Sequence, residues 1–289
     1  MKVAIIGGCG RMGQWIARFL SADGKEVFIS DRNIAVQTAA AQRVGIPVAA
    51  NSEALDVADA VILSVPLDEF ENVIREIAPL VKPGQAIIDI SSVKVFTVEA
   101  MHRYIKTGTA LGVHPMFGPG SDGLAGRRVV LTPTGDAEEE QAGKVRQYLV
   151  DKGAKVAVMS PAEHDHVMSI VLGLSHFIAL ASADTLLDLG KLTESGRAAG
   201  TTYSLLLTLV ESVLTEEPGL YSALQMHLPG AAAVERIFLE KAKSWLETIE
   251  NKDGEQFISR MGDLKNGFRQ ADPQFDRAYR DMYRLLDGR

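Results

Sequence analysis

Hydrophobic and polar residues follow two different patterns along this chain. Up to about residue 160, short runs of β-type apolar residues alternate with segments of helical periodicity. The runs predict strands at 3–6, 26–30, 58–64, 85–90, 109–113, 128–132 and 155–159, and the intervening patterns include helices at 35–44, 68–80 and 136–151. Such alternation is typical of an α/β fold, in which a doubly wound parallel sheet carries helices on both faces.

Beyond residue 160 the strand patterns stop, and long amphipathic or apolar segments follow one another to the end. We therefore predict two domains, an α/β domain at 1–160 and an all-helical domain at 161–289. The first long helix of the second domain is apolar nearly all round near 170–183, which implies burial by neighbouring helices or by another subunit. A homodimer formed by swapped helices is the natural hypothesis. Because Ser175 and His176 interrupt this segment, we expect it to be too short to cross a bilayer.

Charge and cysteine content narrow the class of protein. Thirty basic and thirty-seven acidic residues among 289 give a net charge of −7, so nucleic acid and anionic membranes are poor partners. The single cysteine, Cys9, excludes an internal disulfide and fits a reducing cytosol. The first predicted strand begins at residue 3 and leaves no room for a signal peptide. We expect a cytoplasmic protein.

A glycine pattern lies between the first strand and the first helix. Gly8, Gly10 and Gly13 form G-x-G-x-x-G in the strand–turn–helix context that a Rossmann-type dinucleotide-binding domain requires. Glycine lets the backbone turn tightly and approach a pyrophosphate, whose charge meets the helix N-terminus. The predicted cofactor contacts here are Gly8, Cys9, Gly10, Arg11, Met12 and Gly13.

The second strand ends at Asp31, followed by Arg32. A carboxylate at this position can accept a hydrogen bond from a ribose 2′-hydroxyl and would repel a 2′-phosphate, which favours NAD. The guanidinium of Arg32 could instead receive the phosphate of NADP. NAD is the preferred cofactor, and NADP stays open.

Two further strands end in residues suited to the same site. Val65 and Pro66 follow the strand at 58–64 and are predicted to pass the nicotinamide side of the cofactor. Ser91, a predicted cofactor contact, and Ser92 follow the strand at 85–90. Ser92 is either a site residue or the N-cap of the next helix.

A histidine follows the next apolar run. His114 precedes Pro115, and the predicted loop closes at Gly118-Pro119. The carboxyl ends of strands in such sheets are where ligands bind, and imidazole suits proton transfer near neutral pH. His114 is therefore the candidate catalytic residue, although a turn histidine that merely caps a strand would show the same local pattern.

With these residues in view, the chain resembles the prephenate dehydrogenase family from its first strand to its last helix. The resemblance includes the glycine turn, Ser-Val-Pro at 64–66, residues 89–94, His-Pro-Met-Phe-Gly-Pro at 114–119, Glu-His-Asp at 163–165, Gly-Leu-Ser-His-Phe at 173–177, Leu-Tyr at 220–221 and Gln-Met-His at 225–227. The last motif is similar to the archaeal branch. The His-Pro-Met-Phe-Gly-Pro run is highly specific, and the whole ordered set is more so.

The resemblance implies NAD(P)-dependent oxidative decarboxylation of prephenate to 4-hydroxyphenylpyruvate, or of arogenate to tyrosine. It implies that His114 accepts the proton of the ring hydroxyl and that Ser92 orients that hydroxyl. His176 would line the substrate pocket from the helical domain. His164, between Glu163 and Asp165, is interpreted as structural support. We expect no metal site, because the histidines and acids lack the spacing of metal-binding helices.

One position departs from the family pattern. The resemblance places a substrate-carboxylate arginine six residues before Pro218, where this chain has Ser212 preceded by Glu211. Loss of that arginine would weaken binding by about 1.5–3 kcal/mol. Either another cation compensates, such as Arg197 at the start of the same predicted helix, or the substrate is a different cyclohexadienol.

A hypothesis from another class also fits part of the pattern. A strand, a glycine turn, a helix and an acid ending the second strand also describe a site for S-adenosylmethionine. A methyltransferase in which His114 deprotonates a ring hydroxyl or carbon is thus the minority alternative, and a dinucleotide sensor without turnover is a third.

Overall fold

The computed structural model describes residues 1–32 and 45–287, so the predicted helix at 35–44 lies outside the described residues. Contacts divide the chain into two units. The first contains residues 1–168 and 222–229, and the second contains residues 169–221 and those from 230 onward. This division falls after Met168, whereas the sequence places a boundary at residue 160, and that boundary stays a prediction.

The first unit is built on one sheet, which has seven strands among the described residues in the order β2-β1-β3-β4-β5-β6-β7. The strands are β1 (Lys2–Ile6), β2 (Glu26–Ser30), β3 (Ala60–Leu63), β4 (Ala86–Asp89), β5 (Thr109–Pro115), β6 (Arg128–Thr132) and β7 (Lys155–Val158). The chain steps from β1 to β2 on one side and to β3 on the other, so the order reverses beside β1. Ligands of such sheets bind at the carboxyl ends of strands next to this reversal.

The sheet is parallel except where β5 meets β6, which run antiparallel. A parallel neighbour needs a crossover of a dozen or more residues, usually a helix. Residues 116–127 between these strands contain no helix. The predicted α/β sheet is confirmed, and its parallel character holds for the other strand pairs.

His114 lies within a strand, so its predicted position in a loop is wrong. β5 continues through Pro115, and His114 pairs with Val130 of β6. The antiparallel neighbour extends the ladder beyond the apolar run that was visible in the sequence. Pro115 is tolerated because the pairing of β5 with β4 ends at Gly112, which leaves Pro115 at a local edge of the sheet.

Helices cover both faces of the sheet. They are α1 (Arg11–Ala22), α2 (Asn51–Val57), α3 (Leu67–Ile77), α4 (Val95–Tyr104), α5 (Asp136–Asp151) and α6 (Pro161–Met168). One apolar layer packs α1 and α5 against the sheet, with Trp15 and Ile16 at its centre. The other packs α2, α3 and α4 on the opposite face around Phe70 and Met101. Strand residues alternate between the two layers because successive side chains point to opposite faces.

The second unit is helical within the described residues. A π-helical segment (Ser169–Leu174) leads into α7 (Ser175–Asp188), α8 (Leu192–Arg197), α9 (Thr201–Leu214), α10 (Pro218–His227), α11 (Ala231–Glu250), α12 (Gly254–Ala271) and α13 (Ala278–Asp287). The end of α10 belongs to the first unit. α11 packs on the π-helical segment, and α9 packs on α7.

The sequence pattern predicted that Arg197 lies at the start of the helix that carries Ser212. This prediction is wrong. Arg197 is the last residue of α8, and α9 begins at Thr201 with Gly200 as its N-cap. The short Ala-Ala-Gly stretch separates the two helices. Ser212 lies eleven residues beyond the start of α9, which corresponds to about 16 Å along the helix axis.

The helical stretch Pro161–Asp188 has 28 residues and an apolar window of mean hydropathy 1.7. It is longer than the apolar pattern indicated and passes the length and composition test for a membrane span. Core helices of soluble proteins pass the same test, so this observation is weak evidence for a membrane.

Candidate active site

The turn after β1 is hydrogen-bonded to the end of β2 and lies close against the residue that follows β3. The N–H groups of Gly7 and Gly8 both donate to the carbonyl oxygen of Ser30, at 2.8 and 3.1 Å. Gly7 has φ of +74°, and a Cβ there would overlap the carbonyl oxygen of Ser64 at the end of β3. A Cβ on Gly13 would lie 2.5 Å from the carbonyl oxygen of Gly7. The sequence interpretation missed Gly7, and the doubled glycine directly after the strand was the available signal.

The N-terminus of α1 faces this turn. Its N-cap is Gly10, which has no side chain, and its first turn contains no acidic residue. The first N–H groups of a helix have no acceptor within the helix, so this N-terminus and the positive end of its dipole suit an anion such as a pyrophosphate. Arg11 is exposed, whereas Met12 packs against the core. The Cys9 thiol is buried, and burial together with the Asp31 carboxylate raises its pKa to about 11.

Two charged residues after β2 and the short segment after β3 lie at the same edge of the sheet as the glycine turn. Asp31 and Arg32 follow β2, and the Arg32 guanidinium lies 2.9 Å from Oε2 of Glu69 on α3. Val65, after β3, lies against the Gly7 turn, and Pro66 is exposed beside it. The structure thus brings the predicted contacts from β1, β2 and β3 to one edge of the sheet.

The end of β4 carries a buried ion pair. Nζ of Lys94 lies 2.5 Å from Oδ2 of Asp89, and both side chains are fully buried. The Thr97 hydroxyl donates to the same oxygen at 2.6 Å, and the Ser91 hydroxyl lies 3.0 Å from it. Burial lowers the pKa of Lys94, and the neighbouring Asp89 carboxylate partly offsets that effect. Asp89 therefore fixes the turn that holds Ser91.

Ser92 is partly buried in this turn. It is not the N-cap of α4, because that helix begins at Val95 with Lys94 as its N-cap. The N-cap alternative for Ser92 is therefore wrong, and its site role stays a prediction.

His114 is the first member of a chain of three buried side chains. Its Nδ1 lies 2.8 Å from Nε2 of His164, and Nδ1 of His164 lies 2.7 Å from Oδ1 of Asp165. His164 and Asp165 are fully buried on α6, and His114 is 4% exposed. The Asp165 carboxylate also accepts hydrogen bonds from the backbone N–H groups of Lys94 and Val95, with N···O distances of 2.7 and 2.8 Å. Asp165 thus caps α4 while holding His164.

These contacts determine the tautomers. Backbone N–H groups only donate, so both Asp165 oxygens are acceptors and Nδ1 of His164 must donate. Nε2 of a neutral His164 is then an acceptor, which makes Nδ1 of His114 the donor. His114 is left with a lone pair on Nε2, the arrangement of a general base.

The surroundings also keep His114 neutral. Burial, the Lys94 ammonium and the neighbouring His164 hold the pKa of His114 well below its ordinary value of 6.5. The sequence interpretation singled out His114, treated His164 as structural support and missed the role of Asp165. The available signal was the Glu-His-Asp run at the start of α6.

The remaining predicted site residues lie in the second unit. His176 on α7 is half-buried, its ring meets that of Tyr221 edge-on at 4.5 Å, and burial lowers its pKa. Among the described residues its Nδ1 has no hydrogen-bond partner. Ser212 is exposed on α9, where its hydroxyl donates to the carbonyl of Leu209 at 2.8 Å. Arg197 is exposed. Their roles in substrate binding stay predictions.

Residues 1–32 and 45–287 contain no group of three His, Cys, Asp or Glu side chains arranged to hold a metal ion. The glycine turn, the helix N-terminus and the acid after β2 are the features of a dinucleotide-binding domain. The first unit is therefore a nucleotide-binding α/β domain with a buried imidazole at the ligand edge of its sheet, and it is followed by a helical unit.

Comparison with known proteins agrees with this description. Residues 16–158 match the family model described as the prephenate dehydrogenase nucleotide-binding domain. Residues 160–263 match that of the prephenate dehydrogenase dimerization domain. The chain belongs to the prephenate dehydrogenase family.

Similar sequences include a probable arogenate/prephenate dehydrogenase of Methanocaldococcus jannaschii, 34% identical over 272 residues. The match covers 93% of this chain and 61% of that relative, so this chain spans about three fifths of its length. A 4-amino-4-deoxyprephenate dehydrogenase of Streptomyces pristinaespiralis is 24% identical over 296 residues, covering 99% of this chain and 97% of the relative.

Two solved structures share the fold. Prephenate dehydrogenase from A. aeolicus, in complex with hydroxyphenyl propionate and NAD⁺, has a TM-score of 0.79 at 22% identity and covers 94% of this chain and 98% of its own. Synechocystis arogenate dehydrogenase has a TM-score of 0.72 at 20% identity and covers 94% and 99%. At these identities the likeness supports the fold alone.

Proposed function

We propose that this protein is an NAD-dependent dehydrogenase that oxidatively decarboxylates prephenate or arogenate, giving 4-hydroxyphenylpyruvate or tyrosine. The proposal rests on the family match and on the names of the similar proteins. The observation that carries it is the series of hydrogen bonds from Asp165 through His164 to His114. This series leaves Nε2 of His114 free to act as a base, and His114 lies at the same edge of the sheet as the glycine turn. The family match favours this reaction over the methyltransferase alternative.

NAD fits the residues at the edge of the sheet. The close packing at Gly7 and Gly13 leaves a backbone cradle, and the uncapped N-terminus of α1 supplies donors for a pyrophosphate. Asp31 is proposed to accept hydrogen bonds from the ribose hydroxyls. When bound, the nicotinamide accepts the hydride that leaves the ring carbon bearing the hydroxyl.

His114 manages the proton of that hydroxyl. Its Nε2 accepts the proton of the hydroxyl while the hydride leaves the carbon that bears this hydroxyl. His164 and Asp165 stabilise the imidazolium that forms. Carbon dioxide leaves from the opposite ring carbon, and the electron pair of the broken bond completes the aromatic ring. The imidazolium then returns its proton to the phenolate oxygen, so no net proton is consumed. Ser92 is proposed to orient the hydroxyl.

Ser212 bears on which substrate is used. A neutral hydroxyl replaces the charged guanidinium that the family resemblance implies, so a ring substrate whose carboxylate is absent or replaced is the second candidate. A similar protein is named as a 4-amino-4-deoxyprephenate dehydrogenase, which is a precedent for a ring substrate altered at the hydroxyl-bearing carbon and not for one without the carboxylate.

We also propose a cytoplasmic homodimer formed through the helical half, which matches the family's dimerization domain. Several large apolar side chains of α11 and α12 are more than half exposed, among them Ile237, Ile258, Met261 and Phe268. A second copy of this chain would bury them. Sedimentation showing a stable monomer at micromolar concentration would remove the dimer proposal.

The central experiment is His114→Ala, with His166→Ala as the matched control, since His166 is exposed two residues beyond His164 on α6. We expect His114→Ala to lower kcat by about 10²–10⁴-fold with NAD⁺ affinity nearly unchanged, and the control to retain activity. Equal loss of NAD⁺ binding would mean that His114 is structural. A thermal shift with S-adenosylmethionine and none with NAD⁺ or NADP⁺ would end the dehydrogenase proposal.

A further inference from the structure

An ion pair joins the segment after β2 to the first turn of α3 in the first unit. Arg32 directly follows Asp31 after β2, and its guanidinium lies 2.9 Å from Oε2 of Glu69. Glu69 belongs to the first turn of α3, which begins directly after Val65 and Pro66. The pair thus connects the end of β2 with the start of the helix after β3.

This pairing changes what Arg32 offers to a ligand. A guanidinium beside the ribose would attract a 2′-phosphate. Here the Arg32 guanidinium already holds a carboxylate, and the hydrogen bond it donates keeps the pKa of Glu69 below the ordinary value. Within these two segments the carboxylates of Asp31 and Glu69 outnumber the single Arg32 guanidinium, so their combined charge opposes a phosphate.

The ordinary explanation for Glu69 is that acids stabilise the first turn of a helix. Asp68, in the same turn, already supplies such a charge, with its carboxylate 4.0 Å from His227 rather than near Arg32. Helix stabilisation does not require Glu69 to reach across to the loop after β2. The orientation of its carboxylate toward Arg32 therefore calls for a separate reason.

We propose that Glu69 is a determinant of cofactor selectivity, which pairs with Arg32 and thereby excludes the 2′-phosphate of NADP. This inference rests on the proposed binding of NAD and names the residue that disfavours NADP. Binding of NADP would place its 2′-phosphate beside two carboxylates and in competition with Glu69 for the Arg32 guanidinium. Binding of NAD leaves the pair intact.

The test is equilibrium binding of NAD⁺ and NADP⁺, measured by calorimetry on the full chain without substrate. Glu69→Gln frees Arg32 and removes one negative charge; because the Arg32–Glu69 pair is solvent-exposed, NADP⁺ affinity should rise about two- to fivefold while NAD⁺ affinity changes far less. The matched control is Glu71→Gln, two residues along α3, because the Glu71 carboxylate faces Arg103 and Tyr104 at 3.2 and 2.7 Å. The control should leave the ratio of the two affinities unchanged.

A double variant identifies the group that receives the phosphate. In Glu69→Gln with Arg32→Ala the gain in NADP⁺ affinity should disappear, because the freed guanidinium is gone. An unchanged affinity ratio in Glu69→Gln, with its unfolding temperature preserved, would overturn the inference. An equal gain in Glu71→Gln would overturn it as well. A wild-type protein that binds neither nucleotide would overturn the proposed function together with this inference. A protein that binds NAD⁺, but whose ratio of NADP⁺ to NAD⁺ affinity does not change in Glu69→Gln, would overturn the inference alone.

Discussion

Nδ1 of His114 lies 2.8 Å from Nε2 of His164, and the two rings belong to elements fifty residues apart in the sequence. Asp165 closes the chain on the far side of His164. Because a carboxylate at one end fixes every proton position in the chain, the basicity of His114 depends on two residues that lie behind it.

Asp165→Asn tests this dependence. The asparagine has the same size, but its amide offers one acceptor oxygen where two are needed, so the tautomer of His164 is no longer fixed. We expect kcat/KM to fall by about 10²–10⁴-fold. Loss of the α4 cap would also cost about 1 kcal/mol of stability, which urea unfolding measures separately.

His164→Ala and His164→Gln distinguish positioning from packing. The glutamine oxygen can still accept from Nδ1 of His114, so His164→Gln should retain more activity than His164→Ala. In His164→Ala the imidazolium that forms on His114 loses the acceptor of its Nδ1 proton, so kcat should fall while NAD⁺ affinity stays nearly unchanged. Equal losses of kcat in both variants would mean that His164 only fills space.

The stability of the protein should depend on pH through His114. Its pKa is about 6.5 when unfolded and lies well below that in the folded state, so the unfolded chain takes up the proton first. The stabilising contribution is fully present above pH 6.5 and is lost as the pH falls from there toward the folded-state pKa. Urea unfolding of wild type and His114→Gln should therefore show a wild-type advantage that shrinks below that pH. A constant difference would contradict the depressed pKa.

Lys94→Met should be strongly destabilising. The change leaves the Asp89 carboxylate buried without its ammonium, and breaking a buried pair in this way costs about 3–5 kcal/mol. Asp89→Asn combined with Lys94→Met should lose less than the sum of the two single changes, because neither partner then remains charged alone. The free energy of unfolding from urea titration checks both statements, and strict additivity would argue against a coupled pair.

Gly13→Ala should impair nucleotide binding and folding together. Its Cβ would lie 2.5 Å from the Gly7 carbonyl oxygen and 2.8 Å from Cα of Gly8, so α1 would have to move away from the turn. The control is Gly143→Ala on α5, where a Cβ meets open space and helix propensity predicts a gain of about 0.5–1 kcal/mol. Thermal unfolding with and without NAD⁺ compares them, and unimpaired NAD⁺ binding by Gly13→Ala would refute the close-packing argument.

Ser212→Arg tests the substrate assignment. If the remaining substrate contacts suit prephenate, a restored guanidinium should raise prephenate affinity by about ten- to a hundredfold. Thr208→Arg, one turn earlier on α9, controls for general attraction of an anionic substrate. No gain with Ser212→Arg would favour a different ring substrate.

The local patterns of the sequence were sufficient for the order of the seven strands and for some of the helices, whereas the helix at Asn51–Val57 was not predicted. Helix α5 was predicted with its observed bounds, and the glycine turn was recognised from its spacing, because both depend on neighbouring residues. Gly7 was missed because the φ of one glycine in a pair depends on how closely β3 approaches.

The rest depended on contacts between distant segments. The direction of β6 and the inclusion of His114 in β5 follow from strand pairing, which the apolar run at 109–113 does not encode. The contacts of His164 with His114, and of Glu69 with Arg32, join loops and helices whose relative placement is decided by packing. Lys94 was visible in its motif, but its complete burial beside Asp89 was not.

The two duties of the Asp165 carboxylate have a consequence for how this protein fails under stress. Because one side chain both tethers the first amides of α4 and anchors the histidine pair, fraying of that single helical turn would scramble the proton positions while the sheet stays intact. On warming, turnover should then decline ahead of the cooperative melt, in step with faster hydrogen exchange at the amides of Lys94 and Val95.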